Sequence, residues 1–151
     1  MNRGSLPPLA FALGLSGLLP QIAVVLILLL GGDDLRYTAL ATGFAYAALI
    51  YSFLGGVWWG LAARGESRTP GWVWGVAVLP SLVALATAWP WLVGGDWPGP
   101  SLIVLGIVIA ASVLIDWRLQ IVGLTPAGWL TLRAPLSFGL GGLTLAAGLL
   151  A

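Results

Sequence analysis

The chain has 151 residues, of which 60% are hydrophobic and 7% charged, with a mean hydropathy of +1.03. Soluble domains carry about 25% charged residues; six Arg, five Asp or Glu and no Lys exclude a water-soluble monomer, and the hydrophobicity excludes a disordered chain. The net charge of +1 gives no field for nucleic acid, and the absence of Cys and His excludes disulfides, thiol nucleophiles, His bases and the usual zinc sites.

Five apolar runs follow one another, at residues 6–30, 37–63, 71–93, 100–122 and 127–151. Each exceeds the roughly 20 residues that carry a helix across about 30 Å of hydrocarbon. Lipid demands that backbone polar groups be satisfied within the segment, and none of the runs shows the period-2 alternation of a barrel strand. The predicted fold is therefore all-α, a single domain over residues 1–151 built as an integral membrane bundle of five transmembrane helices. The first run is too long for the apolar core of a signal peptide and no small-residue cleavage pattern precedes Asp33, so a retained helix is expected.

The linkers at 31–36, 64–70, 94–99 and 123–126 are short and rich in Gly and Pro, which makes successive helices antiparallel neighbours. Placing the N-terminus in the cytoplasm puts Arg3, Arg64, Arg68, Arg118 and Arg133 inside and only Arg36 outside, beside Asp33, Asp34 and Asp96. The positive-inside rule favours that orientation. Trp58, Trp59, Trp72, Trp74, Trp117 and Trp129 then fall near cytoplasmic helix ends, with Trp89, Trp91 and Trp97 near outer ends. Interfacial belts explain such a distribution; a Trp-lined ligand cavity is the alternative.

Small residues mark faces where helices approach closely in lipid. The second helix carries Ala48, Ser52, Gly56 and Gly60 at four-residue spacing, and the fifth carries Ala134, Ser137, Gly141, Thr144, Gly148 and Ala151 in a heptad-like seam. A third face in the first helix holds Ala10, Gly14 and Gly17, with Gln21 one turn on. These seams either close the bundle or dock a membrane-protein partner. Pro20, Pro80 and Pro135 lie within spans and free the carbonyls of Ser16, Val76 and Thr131. Gln21, beside Pro20, is either one interhelical hydrogen bond or a ligand contact; Trp58 and Trp59 are the other candidate ligand contacts.

Asp116 and Arg133 fall at similar depth in an antiparallel hairpin, which suits an ion pair; the competing accounts are snorkelling of Arg118 and Arg133 to the interface, and a proton- or anion-handling role. No catalytic constellation is evident: there is no His or Lys base and no Cys nucleophile, Asp33 and Asp34 are adjacent in a predicted loop, and the Gly pairs match no phosphate loop. The expectation is a non-enzymatic protein with no cofactor and no metal site.

Gly17-Leu18-Leu19-Pro20, Ser52-Phe53-Leu54-Gly55-Gly56-Val57-Trp58-Trp59-Gly60, Leu79-Pro80-Ser81-Leu82, Asp116 and Leu130-Thr131-Leu132-Arg133 with Pro135-Leu136 occur in that order. Over nearly the whole chain this pattern resembles the transmembrane protein 69-like membrane family catalogued as domain of unknown function 3429. The Ser-Phe-Leu-Gly-Gly stretch with its Trp and Gly is the specific part. The resemblance implies a small multi-helix protein of a bacterial cytoplasmic (inner) membrane and brings no activity with it. It also leads one to expect a more polar residue at Trp58.

Two functions are compatible with this reading. One is an accessory or assembly subunit of a larger respiratory or photosynthetic membrane complex, docked through small-residue faces. The other is a small membrane carrier or sensor of an apolar ligand such as a lipid, quinone or tetrapyrrole. Lipids are partners in both, and nucleic acid in neither.

Overall fold

A computed structural model describes residues 6–151; Arg3, assigned above to the basic side, lies outside the described residues. The described chain is helical, and five helical stretches are long and apolar enough to cross a membrane. The first stretch is divided into α1 (Pro8–Ser16) and α2 (Leu19–Leu30). It is followed by α3 (Asp33–Gly65), a short 3-10 turn (Glu66–Arg68), α4 (Gly71–Leu92), α5 (Gly99–Ile121) and α6 (Trp129–Leu149).

The first span is thus broken rather than simply kinked. Pro20 has no N–H to offer the Ser16 carbonyl, and its ring crowds that carbonyl. The chain responds with two tight bonds, from the Gly17 and Leu18 N–H groups to the Gly14 and Leu15 carbonyls. The Gly17 carbonyl then turns outward and accepts the Tyr46 hydroxyl of α3. The break is therefore held from a neighbouring helix, as a proline within an apolar span requires.

The linker after α2 is shorter than expected. Asp33 and Asp34 form the first turn of α3 instead of a loop, where carboxylates favour the positive end of the helix dipole. Arg64 and Arg118 occupy the last turns of α3 and α5, the complementary arrangement. One end of the bundle therefore gathers Arg64, Arg68, Arg118 and Arg133 and the other Asp33, Asp34 and Asp96. At the acidic end Arg36 reaches across to donate to the Leu150 carbonyl just beyond α6.

α3 is the central helix and touches α2, α4, α5 and α6, while α5 and α6 pack along most of their length. The α5–α6 contact is backbone on backbone. A Cβ added at Gly141 would lie 2.7 Å from the Ala110 nitrogen and 2.8 Å from the Gly106 carbonyl oxygen. One at Gly148 would lie 2.8 Å from the Ile103 nitrogen. Ser137, Gly141, Thr144 and Gly148 are all buried in this seam, so the heptad of small residues in α6 packs within the bundle.

The stripe in α3 does not. Gly56 and Gly60 have nothing within 4 Å of an added Cβ and face outward; Ser52 lies at the rim, where its hydroxyl is 2.8 Å from that of Ser81 in α4. Of the two uses expected for this stripe, closure of the bundle does not hold at Gly56 and Gly60. The close approach is made one residue earlier, where a Cβ on Gly55 would meet the Ala77 carbonyl oxygen at 2.5 Å beside Pro80. The cause is Trp58. Its indole N–H needs an acceptor once it is buried, and turning Tyr51, Leu54, Gly55, Trp58 and Ala62 inward carries Gly56 and Gly60 round to the far side of a 3.6-residue helix.

Candidate functional site

The polar chemistry of the interior converges on Asp116, about one and a half turns before the end of α5 and completely buried. A carboxylate in such surroundings must be paired and hydrogen-bonded. Its Oδ1 accepts the indole N–H of Trp58 at 3.0 Å and that of Trp129 at 2.9 Å. Its Oδ2 accepts the Arg133 Nε–H at 2.9 Å, the one ion pair among the described residues. Two helices thus supply three donors to one acid: α3 through Trp58, and the start of α6 through Trp129 and Arg133, around an acceptor on α5.

Arg133 is held further by Ser137, one turn on, whose hydroxyl accepts from its Nη2 at 3.2 Å. That hydroxyl also lies 3.2 Å from the Ser112 hydroxyl, which donates to the Ile109 carbonyl in α5 at 2.6 Å. The guanidinium is therefore fixed in orientation, and its side chain retains only 14% exposure. It does not snorkel away from the carboxylate. Arg118, two residues beyond Asp116, instead lies 5.5 Å over the Trp117 ring.

Beside this hub lies a cavity of about 320 Å³ between the α1–α2 break, α3 and α6. Its walls are mostly aliphatic, among them Ile50, Leu54 and Leu136, and Arg133, Ser137, Trp129 and Tyr51 border it. Leu13 and Phe53 also line it, with exposures of 64% and 69%. They mark a mouth that opens sideways between α1 and α3, into what would be the hydrocarbon of a bilayer.

The candidate ligand contacts named from the sequence line none of this cavity. Gln21 is completely buried between α2 and α6, where its Nε2 donates to the Thr144 hydroxyl at 3.1 Å and its Oε1 finds no partner among the described residues. Trp58 is committed to Asp116. Trp59 sits on the outer face, edge-on to Trp74 with ring centroids 4.8 Å apart. For Gln21 the interhelical hydrogen bond is the alternative the structure shows, and the Trp58 indole is drawn likewise to a partner within the bundle. Sequence reasoning missed Tyr51 and the hydrogen-bonding role of Trp129. One signal for the latter was present, since a lone carboxylate needs several donors and Trp is the most plentiful N–H donor near the basic helix ends.

Among the described residues no group of three or more carboxylates is placed to hold a metal ion. A family profile described as a protein of unknown function, DUF3429, matches residues 6–150. The chain belongs to the DUF3429 family. No curated protein and no solved structure matches this DUF3429 member. The match covers both the Asp116–Arg133 hub and every residue lining the cavity.

Proposed function

We propose that this DUF3429 protein is a non-enzymatic, multi-pass protein of a bacterial cytoplasmic membrane, its N-terminus in the cytoplasm, that takes an amphipathic molecule from the bilayer as a small carrier or sensor. The observation that carries this reading is the side-opening apolar cavity with a fixed guanidinium at its wall. Ligand sites pair an apolar lining with a few placed polar groups, and a lateral mouth suits a molecule that arrives dissolved in lipid. The clustering of Arg64, Arg68, Arg118 and Arg133 at one end supports the orientation. The saturation of Asp116 by three donors supports a positioning rather than a proton-transferring role.

The test is to extract the protein from its native membrane directly into lipid nanodiscs and record native mass spectra. A stoichiometric amphiphile that is retained by the wild type and displaced when Leu136→Trp fills the cavity supports the proposal. A spectrum of protein without bound small molecule, unchanged by titration with extracted membrane lipids, refutes it.

A second reading is favoured by one observation. Of the stripe Ala48, Ser52, Gly56 and Gly60 on α3, Gly56 and Gly60 present an open small-residue face, with nothing within 4 Å of an added Cβ at either. Such faces suit close helix docking, and an accessory or assembly subunit of a larger respiratory or photosynthetic complex would use one. Gly56→Leu adds bulk to that face, where an added Cβ meets nothing within 4 Å. A partner subunit present in equal amount with the wild type and lost with Gly56→Leu supports this reading; a wild-type protein that migrates alone refutes it.

A further inference from the structure

We infer that the cavity selects a neutral amphiphile whose polar end is a hydrogen-bond-accepting carbonyl, an ester, ketone or quinone, over a carboxylate or phosphate on the same tail. The inference rests on the reading of this cavity as a ligand site and specifies what that site recognises.

The free hydrogen-bonding capacity at the cavity is mostly donor. Arg133 spends Nε on Asp116 and Nη2 on Ser137, and its Nη1 has no hydrogen-bond partner among the described residues. Tyr51 is buried to 8% exposure and lines the cavity, and its hydroxyl likewise makes no hydrogen bond among the described residues. The other polar groups at the wall are taken. Trp129 donates to Asp116, Ser137 lies between Arg133 and Ser112, and the Tyr46 hydroxyl holds the Gly17 carbonyl. Guanidinium N–H groups only donate. A molecule that engages Arg133 must therefore bring an acceptor, to which the Tyr51 hydroxyl can also donate.

The charge at the cavity decides which acceptor. Arg133 is the charged residue among those lining it, and its charge is already balanced by Asp116 at 2.9 Å. Asp116 cannot turn away to release that charge, because Trp58 and Trp129 hold its other oxygen. An incoming carboxylate or phosphate would leave one uncompensated negative charge between aliphatic walls, where desolvation is expensive. A carbonyl oxygen accepts the same Nη1–H without that penalty. The tail lies among Ile50, Leu54 and Leu136 and leaves by the mouth at Leu13 and Phe53. Tyr51 lines the same cavity from α3 and offers a second donor there.

A minimal pair of ligands tests this directly. Wild-type protein in nanodiscs is titrated with methyl palmitate, palmitate and palmityl phosphate at pH 8, where the carboxyl is ionised, and occupancy is read by native mass spectrometry. The expected result is that the ester binds about tenfold or more tighter than either anion, the direction set by the uncompensated charge. Tyr51→Phe, which keeps the ring and its packing, is expected to weaken the ester about three- to tenfold. Anions binding as tightly as the ester would overturn the selectivity while leaving the cavity a ligand site. Failure of all three probes to bind would remove both the selectivity and the ligand site. Ester binding unchanged by Tyr51→Phe would remove Tyr51 from the recognition and leave Arg133 as its sole donor.

Discussion

Asp116→Asn isolates the charge at the centre of the bundle with almost no change in volume. The amide oxygen can still accept both indole N–H groups, now held at 3.0 and 2.9 Å. The amide nitrogen, however, points N–H groups at the Arg133 Nε–H, so donor faces donor and a guanidinium with 14% exposure loses its counter-charge. Removing one partner of a buried pair in a soluble protein costs about 3–5 kcal/mol. Two effects reduce this in a bilayer. The unfolded chain in lipid also finds partners, so interhelical hydrogen bonds average only about 0.6 kcal/mol. Arg133 lies near a helix start, and its stem can extend to the interface. A loss of about 2–3 kcal/mol remains, roughly a 30- to 140-fold fall in the folded-to-unfolded ratio. Reversible unfolding in bicelles, measured for Asp116→Asn, Arg133→Gln and the double variant, reads this loss and the coupling between the two residues. Coupling of about 1–3 kcal/mol is expected for residues in one network. Additivity within about 0.5 kcal/mol, or a loss below about 1 kcal/mol for Asp116→Asn, would refute the hub as the organiser of the basic end.

Gly141→Ala should destabilise by about 1–3 kcal/mol, because its methyl meets backbone that cannot yield. Gly56→Ala, with nothing within 4 Å, should be neutral or stabilise by up to about 1 kcal/mol through helix propensity; thermal shifts of equal sign and size in the two variants would contradict the assignment of seams. Thr144→Val alone should cost about 1–3 kcal/mol by stranding the Gln21 amide, whereas Gln21→Leu with Thr144→Val should return to within about 1 kcal/mol of the wild type. Unfolding titrations of the single and double variants check that order. Tyr46→Phe removes the hydroxyl that holds the Gly17 carbonyl and should raise hydrogen–deuterium exchange at the α1–α2 break while leaving the α5–α6 seam protected; unchanged exchange at the break would show that the carbonyl needs no support from α3.

The candidate site was only partly legible in the sequence. Asp116 and Arg133 could be placed together because an antiparallel hairpin with a short turn sets their depths equal. The α6 seam was legible because an unbroken run of small residues at heptad spacing has one plausible use. The α3 stripe was not, since Gly55 and Gly56 are adjacent, and which of them meets α4 depends on a rotation about the helix axis. Tyr51 was invisible as a cavity residue for a similar reason. A tyrosine in an apolar run is ordinary until its hydroxyl is seen to lack a partner.

The number of spans, their order and the separation of basic from acidic ends follow from the sequence alone. They depend on run length and on where charges fall, and a helix in lipid satisfies its own backbone whatever its neighbours do. The rotation of each helix, the break at Gly17, the donors that reach Asp116 and the cavity beside them were decided by the tertiary structure. These depend on satisfying a few polar groups between helices whose faces are all apolar. When hydrophobicity is nearly uniform around a helix, it cannot choose a face; one buried carboxylate and the indoles that must reach it can.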